Sequence, residues 1–269
     1  MARIRLPQGS ETETASVESG IGRYQYSYSR SAEARENGEA GQDYLTIIEE
    51  KEYLAFALCD GISMSYYGDI AASFLGESLL DWLISEDSAL MDASRLRESL
   101  HGYLIGQAQE ADKKLQRHQI PSHIKGILRE VLLAKKEMGS STIYCCGKIE
   151  WPSSNNADGR LLLAWQGDTR IRIWENGVEQ QGLLGDSFHT SERWSTKSGP
   201  VGGSPHIHVG SLPCSRSGSG AVLAYSDGLK GLDASSRITK DKITDIIAHE
   251  AADPSSDDMS IIHIQWQTP

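Results

Sequence analysis

The sequence lacks the features that mark membrane and secreted proteins. No apolar run approaches the roughly 18–20 residues that a membrane-spanning helix needs. The N-terminal residues carry charge but no apolar stretch follows them, so they do not resemble a secretory signal. We therefore expect a cytoplasmic protein that does not act at a membrane.

Basic residues are too few and too scattered to bind nucleic acid. The chain has 26 Lys and Arg against 37 Asp and Glu, a formal net charge of -11. Nucleic-acid binding depends on clustered Lys and Arg that neutralise backbone phosphates, and no such cluster occurs. An acidic surface also repels phosphate groups. If the substrate is anionic, the electrostatic field at its binding site must be positive, and bound divalent metal ions are the strongest candidates to make it so.

Cysteine is also scarce, and its spacing excludes the common zinc motifs. The four cysteines lack the paired two-residue spacing of a zinc site. Two of them are adjacent, so in a strand their side chains would lie on opposite faces. The sequence predicts reduced, buried thiols at Cys59, Cys145, Cys146 and Cys214.

The 269 residues suffice for one domain with a proper core, because a globule of this size buries roughly 70–75% of the surface that its unfolded chain exposes. Residues 1–21 are rich in Ser, Thr and Glu and are predicted to be a flexible leader, although Ile4 and Leu6 alternate enough to permit a short strand. Residues 22–269 are predicted to form the domain. Within it, residues 177–220 are rich in Gly, Ser and Pro and are predicted to form a loop or flap.

Hydrophobic periodicity predicts strands, then helices, then strands. Three tyrosines, Tyr24, Tyr26 and Tyr28, alternate with polar residues as one strand face would. Further strands are expected at 45–48, 53–58, 142–146, 161–165, 171–174, 221–225 and 259–266. A three-to-four-residue stripe begins at Gly68, two more helical stripes follow from residues 96 and 124, and a last helix is expected at about 240–252. This order favours an α+β fold in which helices cover antiparallel sheets.

Aspartates stand where predicted strands begin or end. Asp60, Asp168 and Asp227 each follow a strand, and Asp257 immediately precedes the last one. Sheets align strand ends in space, so these carboxylates can converge although they are distant in sequence. Clustered carboxylates repel one another unless cations hold them, and an all-oxygen ligand set suits Mg²⁺ or Mn²⁺. Each Asp-Gly or Gly-Asp pair alone is ordinary turn chemistry; the combination is what indicates a metal site.

Seven short motifs occur in a fixed order along the chain. They are Gln42-Asp43, Asp60-Gly61, Gly68-Asp69-Ile70-Ala71-Ala72, Gly139-Ser140-Ser141-Thr142, Gly167-Asp168-Thr169-Arg170, Ser226-Asp227-Gly228 and Asp257-Asp258-Met259-Ser260. In this order they resemble the metal-dependent type 2C Ser/Thr protein phosphatases, in particular their short bacterial members. The resemblance covers about residues 22–266. It implies a four-layer α-β-β-α sandwich of two antiparallel sheets with helices outside, and a centre of two Mg²⁺ or Mn²⁺ ions at one end.

The resemblance also implies a role for each site residue. Asp60 would bridge the two metals and the Gly61 carbonyl would serve one of them, while Asp227 and Asp257 would hold the other. The remaining implied ligands are Asp43, in or next to the metal shell, and Asp168, which with Asp227 would hold a third, weaker metal; Asp258 is the alternative to Asp257.

The implied reaction is hydrolysis of phosphoserine or phosphothreonine by a water that the two metals share. Asp60, Asp43 and Asp227 would be the catalytic residues. The expected partner is a phosphorylated protein, the product of a Ser/Thr kinase. No protein nucleophile is needed for such a reaction.

Two positions depart from the family's pattern. Many members carry an Arg five residues before the position of Asp43, where it grips substrate phosphate, but Gly38 is found here. Arg35 lies nearby and is the candidate to replace it. After Gly61, residues 62–65 replace the usual Gly-Gly or His-bearing stretch, which leaves the group that protonates the leaving alkoxide unidentified.

Three functions stay open at this point. The first is a metal-dependent protein phosphatase. The second is a non-catalytic or weakly active regulatory protein that keeps the fold and binds a phosphoprotein, which the two departures would allow. The third is a hydrolase of small phosphate esters. The complete set of aspartates favours the first.

Overall fold

The computed structural model describes residues 2–19, 21–85, 92–153, 156–212 and 218–267. Within these residues the chain forms two antiparallel sheets and five α-helices. The first sheet runs in the order β1-β4-β5-β6 and then forks, because β6 pairs with β10 at its start and with β7 over the rest of its length. β11 extends the first branch and β12 the second. Its strands are β1 (Ala2–Arg5), β4 (Tyr44–Glu49), β5 (Tyr53–Gly61), β6 (Ser141–Glu150), β7 (Arg160–Gln166), β10 (Arg193–Ser195), β11 (Gly199–Val201) and β12 (His206–Gly210).

The second sheet has the order β2-β3-β14-β13-β8-β9. Its central strands are long and tightly paired: β14 pairs with β3 from Met259 opposite Ser29 to Trp266 opposite Gly22. Its strands are β2 (Thr12–Ser19), β3 (Gly22–Ser29), β8 (Arg170–Glu175), β9 (Val178–Glu179), β13 (Ser219–Tyr225) and β14 (Met259–Gln267).

The helices connect and cover the sheets. They are α1 (Ala32–Asn37), α2 (Gly68–Ser85), α3 (Ala93–Arg117), α4 (Gly126–Met138) and α5 (Lys240–Ala251), with a 3-10 helix at Asp227–Leu232. None of the helices in the described part of the chain combines the length and the apolar character that crossing a membrane requires.

Three apolar clusters define four layers. The inner faces of the sheets meet in a core that includes Phe56 and Ile262. The outer face of the first sheet packs against α2 and α3 through residues such as Leu79 and Leu100. The outer face of the second sheet packs against α5, for example at Ile243. The predicted α-β-β-α sandwich is thereby confirmed.

Two segments are more ordered than the sequence indicates. Residues 1–21, expected to be a flexible leader, contain β1, which pairs with β4, and β2, which pairs with β3. Both are edge strands rich in polar residues, and this polar composition suggested disorder. Residues 177–220, expected to be a loop or flap, contain β9 to β12, and β12 pairs with β7 over five residues.

The thiols of Cys59, Cys145 and Cys146 are free and buried, as expected. Burial raises the pKa of each well above its ordinary value, so they act as small apolar side chains. Cys214 lies outside the described residues.

Candidate functional site

Antiparallel pairing places the aspartates of both sheets at one end of the sandwich. Because neighbouring strands run in opposite directions, the starts of β4 and β6 lie beside the end of β5. In the second sheet, the starts of β8 and β14 lie beside the end of β13. The residues at these strand ends are Asp43 before β4, Asp60 within β5, Asp168 between β7 and β8, Asp227 after β13, and Asp257 and Asp258 before β14.

Asp60 lies at the centre of this group. Burial raises the pKa of its carboxyl well above the ordinary value, and the negative charges of Asp43, Asp227, Asp257 and Asp168 raise it further, in that order. Four aspartates from four separate chain segments therefore lie close enough to act on Asp60 electrostatically. Without a compensating cation, such a group favours protonation of its central carboxyls.

Asp43 is the most deeply buried member, with 1% of its surface exposed. Its Oδ2 accepts a hydrogen bond of 2.7 Å from the Ser260 hydroxyl, but its Oδ1 has no hydrogen-bond partner among the described residues. Burial raises the pKa of Asp43 well above its ordinary value, and the charge of Asp258 adds to this. A buried carboxylate oxygen without a partner is costly, and a cation or water beside it would relieve the cost.

The neighbouring pair Asp257 and Asp258 divides into two roles. Asp258 is buried, and its two oxygens accept hydrogen bonds from the backbone N–H groups of Ser31 (2.7 Å) and Gln42 (2.6 Å). It thereby ties the start of α1 and the approach to β4 to the start of β14. Asp257 is exposed, and its Oδ1 accepts only a 2.8 Å bond from the Asp258 N–H. The contacts thus leave Asp257 the freer of the two to bind a ligand.

Asp227 lies on the other side of the group, at the start of the 3-10 helix that follows β13. Its Oδ2 lies 3.7 Å from the ammonium of Lys230, three residues later. Although Asp257 is exposed, the surrounding protein partly desolvates its carboxyl and thereby raises its pKa; the charge of Asp227 adds to this, whereas Lys230 opposes it. Lys230 is therefore an exposed cation beside these two carboxylates, a residue that the sequence analysis missed. The three-residue spacing after Asp227 was the available signal.

The backbone of Asp168, and not its carboxyl, makes the contacts that hold this residue in place. Its carbonyl accepts a 2.6 Å hydrogen bond from Arg170, whose guanidinium also lies 3.9 Å from Asp233. Among the described residues, no side-chain hydrogen bond or ion pair engages the Asp168 carboxyl, which is partly buried. The structure thus brings Asp168 near Asp60, as the motif order predicted, without fixing its carboxyl to another side chain.

Two glycines permit the backbone to approach itself beside Asp60. A Cβ at Gly61 would lie 2.6 Å from the backbone of Gly68, and a Cβ at Gly68 would lie 2.7 Å from the backbone of Gly61. Any larger residue at either position would force the end of β5 away from the start of α2. Gln42 also lies at this contact, and its buried Oε1 has no partner among the described residues.

Arg35 was the candidate for binding substrate phosphate, and its guanidinium is engaged in the fold. It donates to the hydroxyl of Ser29 (3.2 Å) and to the carbonyls of Arg30 (2.9 Å) and Ala251 (2.5 Å). These bonds tie α1 to the end of β3 and the end of α5. The observed contacts therefore give Arg35 a structural role.

The segment 62–65, which replaces the family's usual stretch, is a tight turn. The Ser65 hydroxyl donates to the Ile62 carbonyl (2.7 Å) and accepts from the N–H of Ser141 (3.0 Å). Beside it, the Thr142 hydroxyl donates to the Asp60 carbonyl at 2.6 Å. The motif that contains Ser141 and Thr142 thus supports the backbone around Asp60.

The donor set suits a divalent cation by its chemistry. It consists of carboxylate and carbonyl oxygens, the ligands that Mg²⁺ and Mn²⁺ prefer, and two of its buried acceptors, on Asp43 and Gln42, lack partners among the described residues. In the described part of the chain, however, no three His, Cys, Asp or Glu side chains are grouped closely enough to hold an ion as they stand.

With its sheet order, layers and carboxylate end, the chain has the fold of the type 2C Ser/Thr protein phosphatases. No family model and no curated protein sequence matches it significantly. Several solved structures, by contrast, match this chain. The Ser/Thr phosphatase Stp1 from Staphylococcus aureus aligns with a TM-score of 0.58 at 14% identity, over 92% of this chain and 96% of that one.

Two further solved structures share the fold. PppA, described as a key regulatory component of T6SS in Pseudomonas aeruginosa, aligns with a TM-score of 0.51 at 15% identity, over 94% of this chain and 100% of that one. RsbX in complex with magnesium aligns with a TM-score of 0.50 at 8% identity, over 94% and 99%. At these identities the likeness establishes the fold alone.

Proposed function

We propose that this protein hydrolyses phosphoserine or phosphothreonine in a protein substrate, using two bound Mg²⁺ or Mn²⁺ ions. The observation that carries the proposal is the convergence of Asp43, Asp168, Asp227 and Asp257 around Asp60 at one end of the sandwich. A fold by itself has no need of such a group, because clustered carboxylates oppose folding unless cations compensate them.

Each residue has a place in this proposal. Asp60, the Gly61 carbonyl, Asp227 and Asp257 would hold the two ions. Asp43 would lie in or next to the ligand set, and Asp168 would help Asp227 to hold a third, weaker ion. Asp258 is left out because both of its oxygens bind backbone N–H groups.

Bound divalent ions would neutralise phosphate charge and supply hydroxide near neutral pH. Other residues of the chain position the carboxylates. Ser260 and the surrounding core hold Asp43 in place, and Thr142 fixes the backbone at Asp60. The close contact of Gly61 with Gly68 keeps the end of β5 against α2. These fixed elements limit how far the carboxylates must move when ions bind.

The test is hydrolysis of a phosphothreonine peptide with added Mn²⁺ or Mg²⁺, in the wild type and in Asp60→Asn. We expect metal-dependent turnover in the wild type and a loss of about 100-fold or more in the variant, which corresponds to about 2.7 kcal/mol of transition-state stabilisation. Absence of metal-dependent turnover in the wild type would sink the proposal. Turnover unaffected by the substitution would refute the site assignment.

A matched control is Asp245→Asn, the same chemical change on the exposed face of α5. It should leave turnover unchanged. A generic aryl phosphate assayed in parallel separates a protein phosphatase from a hydrolase of small phosphate esters, since the first should prefer the peptide.

One observation favours a second function, a regulatory protein that binds a phosphoprotein without turnover. Arg35, the candidate for gripping substrate phosphate, is engaged in the fold instead. This function would give metal-independent binding of the phosphopeptide with no phosphate release. The turnover assay above distinguishes the two.

A further inference from the structure

A concave site lies on the outer face of the second sheet, away from the carboxylates. The 3-10 helix and α5 cover the part of this face near the end of β13, around Leu229 and Ile243. The other end of the face, where β13 starts and β14 ends, borders a cavity of about 780 Å³. This volume lies within the range of roughly 300–1,000 Å³ for small-molecule sites. The two ends of this face are six residue steps apart along β13, which corresponds to about 20 Å at ~3.3 Å per residue.

Strand register builds the floor of this cavity. Arg23 on β3 lies opposite Gln265 on β14, Gln265 lies opposite Ala221 on β13, and Ala221 lies opposite Trp174 on β8. The four side chains therefore share one face in a single row across the sheet. They give the floor an apolar part at Trp174 and Ala221 and a polar part at Gln265 and Arg23.

His263 belongs to the same face, two residues before Gln265. It lines the cavity, is only 2% exposed, and its Nδ1 has no hydrogen-bond partner among the described residues. Burial lowers the pKa of His263 to about 4, and the charge of Arg23 contributes. The ring is thus neutral near pH 7 and offers one donor and one acceptor.

The charges around the cavity are mainly positive. Among the described lining residues, Arg23 and Arg237 stand against a single carboxylate on Glu18. Arg23 keeps a 2.7 Å hydrogen bond from its Nε to Gln265 Oε1, which orients the guanidinium. Arg237 is exposed and lies just before α5. In a chain with a net charge of -11, such a local excess of guanidinium groups marks a place where an anion is favoured.

We propose that this cavity binds a nucleoside monophosphate. The two guanidinium groups of Arg23 and Arg237 suit a phosphate, which accepts paired N–H bonds. The amide of Gln265 and the ring of His263 both offer a donor and an acceptor, as the polar edge of a base requires. Trp174 and Ala221 provide the apolar surface for the flat ring.

The test is isothermal titration calorimetry of the wild type in EDTA, which prevents metal-dependent hydrolysis, with the four ribonucleoside 5′-monophosphates as probes. We expect at least one to bind saturably, and about tenfold weaker binding, ~1.4 kcal/mol, in Arg237→Gln and in Arg23→Gln. Arg97→Gln, an exposed arginine on α3, is the matched control and should bind as the wild type does. No saturable binding by any of the four probes would overturn the proposal.

Two further probes test the parts of the ligand. Inorganic phosphate alone and the corresponding nucleoside alone should each bind more weakly than the nucleotide. Equal binding of phosphate would overturn the role of the base, and equal binding of the nucleoside would overturn the role of the guanidinium groups. Phosphatase turnover of Arg237→Gln should equal that of the wild type. The nucleotide-binding proposal and the phosphatase proposal are therefore tested independently.

Discussion

At the scale of single residues, the buried polar groups divide into those that the fold satisfies and those that it leaves open. Asp258 is satisfied, because two backbone N–H groups bind its two oxygens. Asp43 Oδ1, Gln42 Oε1 and His263 Nδ1 have no partner among the described residues. The first two lie at the carboxylate end and the third at the cavity. Unpaired buried groups in a folded protein commonly mark places where something else binds.

His263 predicts a change of stability with pH. The folded protein keeps the ring neutral down to about pH 4, whereas in the unfolded chain it gains a proton near its ordinary pKa of 6.5. Stability from this residue is therefore complete above about pH 6.5 and is lost as the pH falls toward 4, by at most about 3 kcal/mol. Urea unfolding at about pH 7 and about pH 5 measures the change.

The variant His263→Gln should reduce this pH dependence, because it removes the titrating group. The control is His249→Gln, an exposed histidine on α5, which should retain the wild-type dependence. If His263→Gln kept the full dependence, the effect would have to come from other groups.

At the scale of elements, α2 and α4 both carry apolar residues at three-to-four-residue spacing but have different surroundings. The α2 stripe packs on the first sheet, where Ala71, Leu75 and Leu79 are fully buried. By contrast, α4 contains no buried residue, and its Ile127 and Leu128 are 81% and 57% exposed. The pattern predicted both helices correctly, since hydrophobic period reports helix formation. It does not report what, if anything, covers the apolar face.

One substitution made at two places measures this difference. Leu79→Ala removes a side chain from the packed core and should cost about 2–5 kcal/mol of unfolding free energy. Leu128→Ala on α4 should change it by no more than about 0.5 kcal/mol. Urea unfolding of the two variants is the measurement. A cost for Leu128→Ala similar to that for Leu79→Ala would mean that the apolar face of α4 is covered in solution.

At the scale of the whole molecule, one end of the sandwich gathers the negative charge that two sheets supply. Burial and mutual repulsion raise the pKa values of Asp43 and Asp60. Ions that bind the folded chain but not the unfolded one would stabilise the whole domain, because both sheets contribute to this end.

Divalent metal should therefore raise the thermal midpoint. At about 100 times the dissociation constant, a bound ion adds about 2.7 kcal/mol, and each kcal/mol shifts the midpoint of a domain of roughly this size by about 2–4 °C. Thermal unfolding with added Mn²⁺ and with EDTA measures the difference. It should be small in Asp60→Asn and unchanged in Asp245→Asn. A midpoint that is insensitive to metal in the wild type would contradict the metal assignment.

Periodicity and strand-end aspartates, read from the sequence, determined most of the architecture and the place of the carboxylates. Strand and helix periods follow from side-chain geometry, and antiparallel pairing aligns strand ends, so Asp60, Asp168, Asp227 and Asp257 were predictable as neighbours. For the polar edge strands the sequence carried little hydrophobic signal: Ile4 and Leu6 only permitted a short strand at β1, and β2 was not predicted.

Only the tertiary structure decided which of the polar residues near the carboxylate end are engaged in the fold and which are free. It placed the oxygens of Asp258 on backbone N–H groups from distant segments, and it engaged Arg35 between α1, β3 and α5. It also brought Arg23, Trp174 and His263 around one cavity. Hydrogen bonds join residues that lie up to 242 positions apart, and no local pattern records them. The sequence thus determined where the carboxylates gather, and the packing decided which of them remain free to bind.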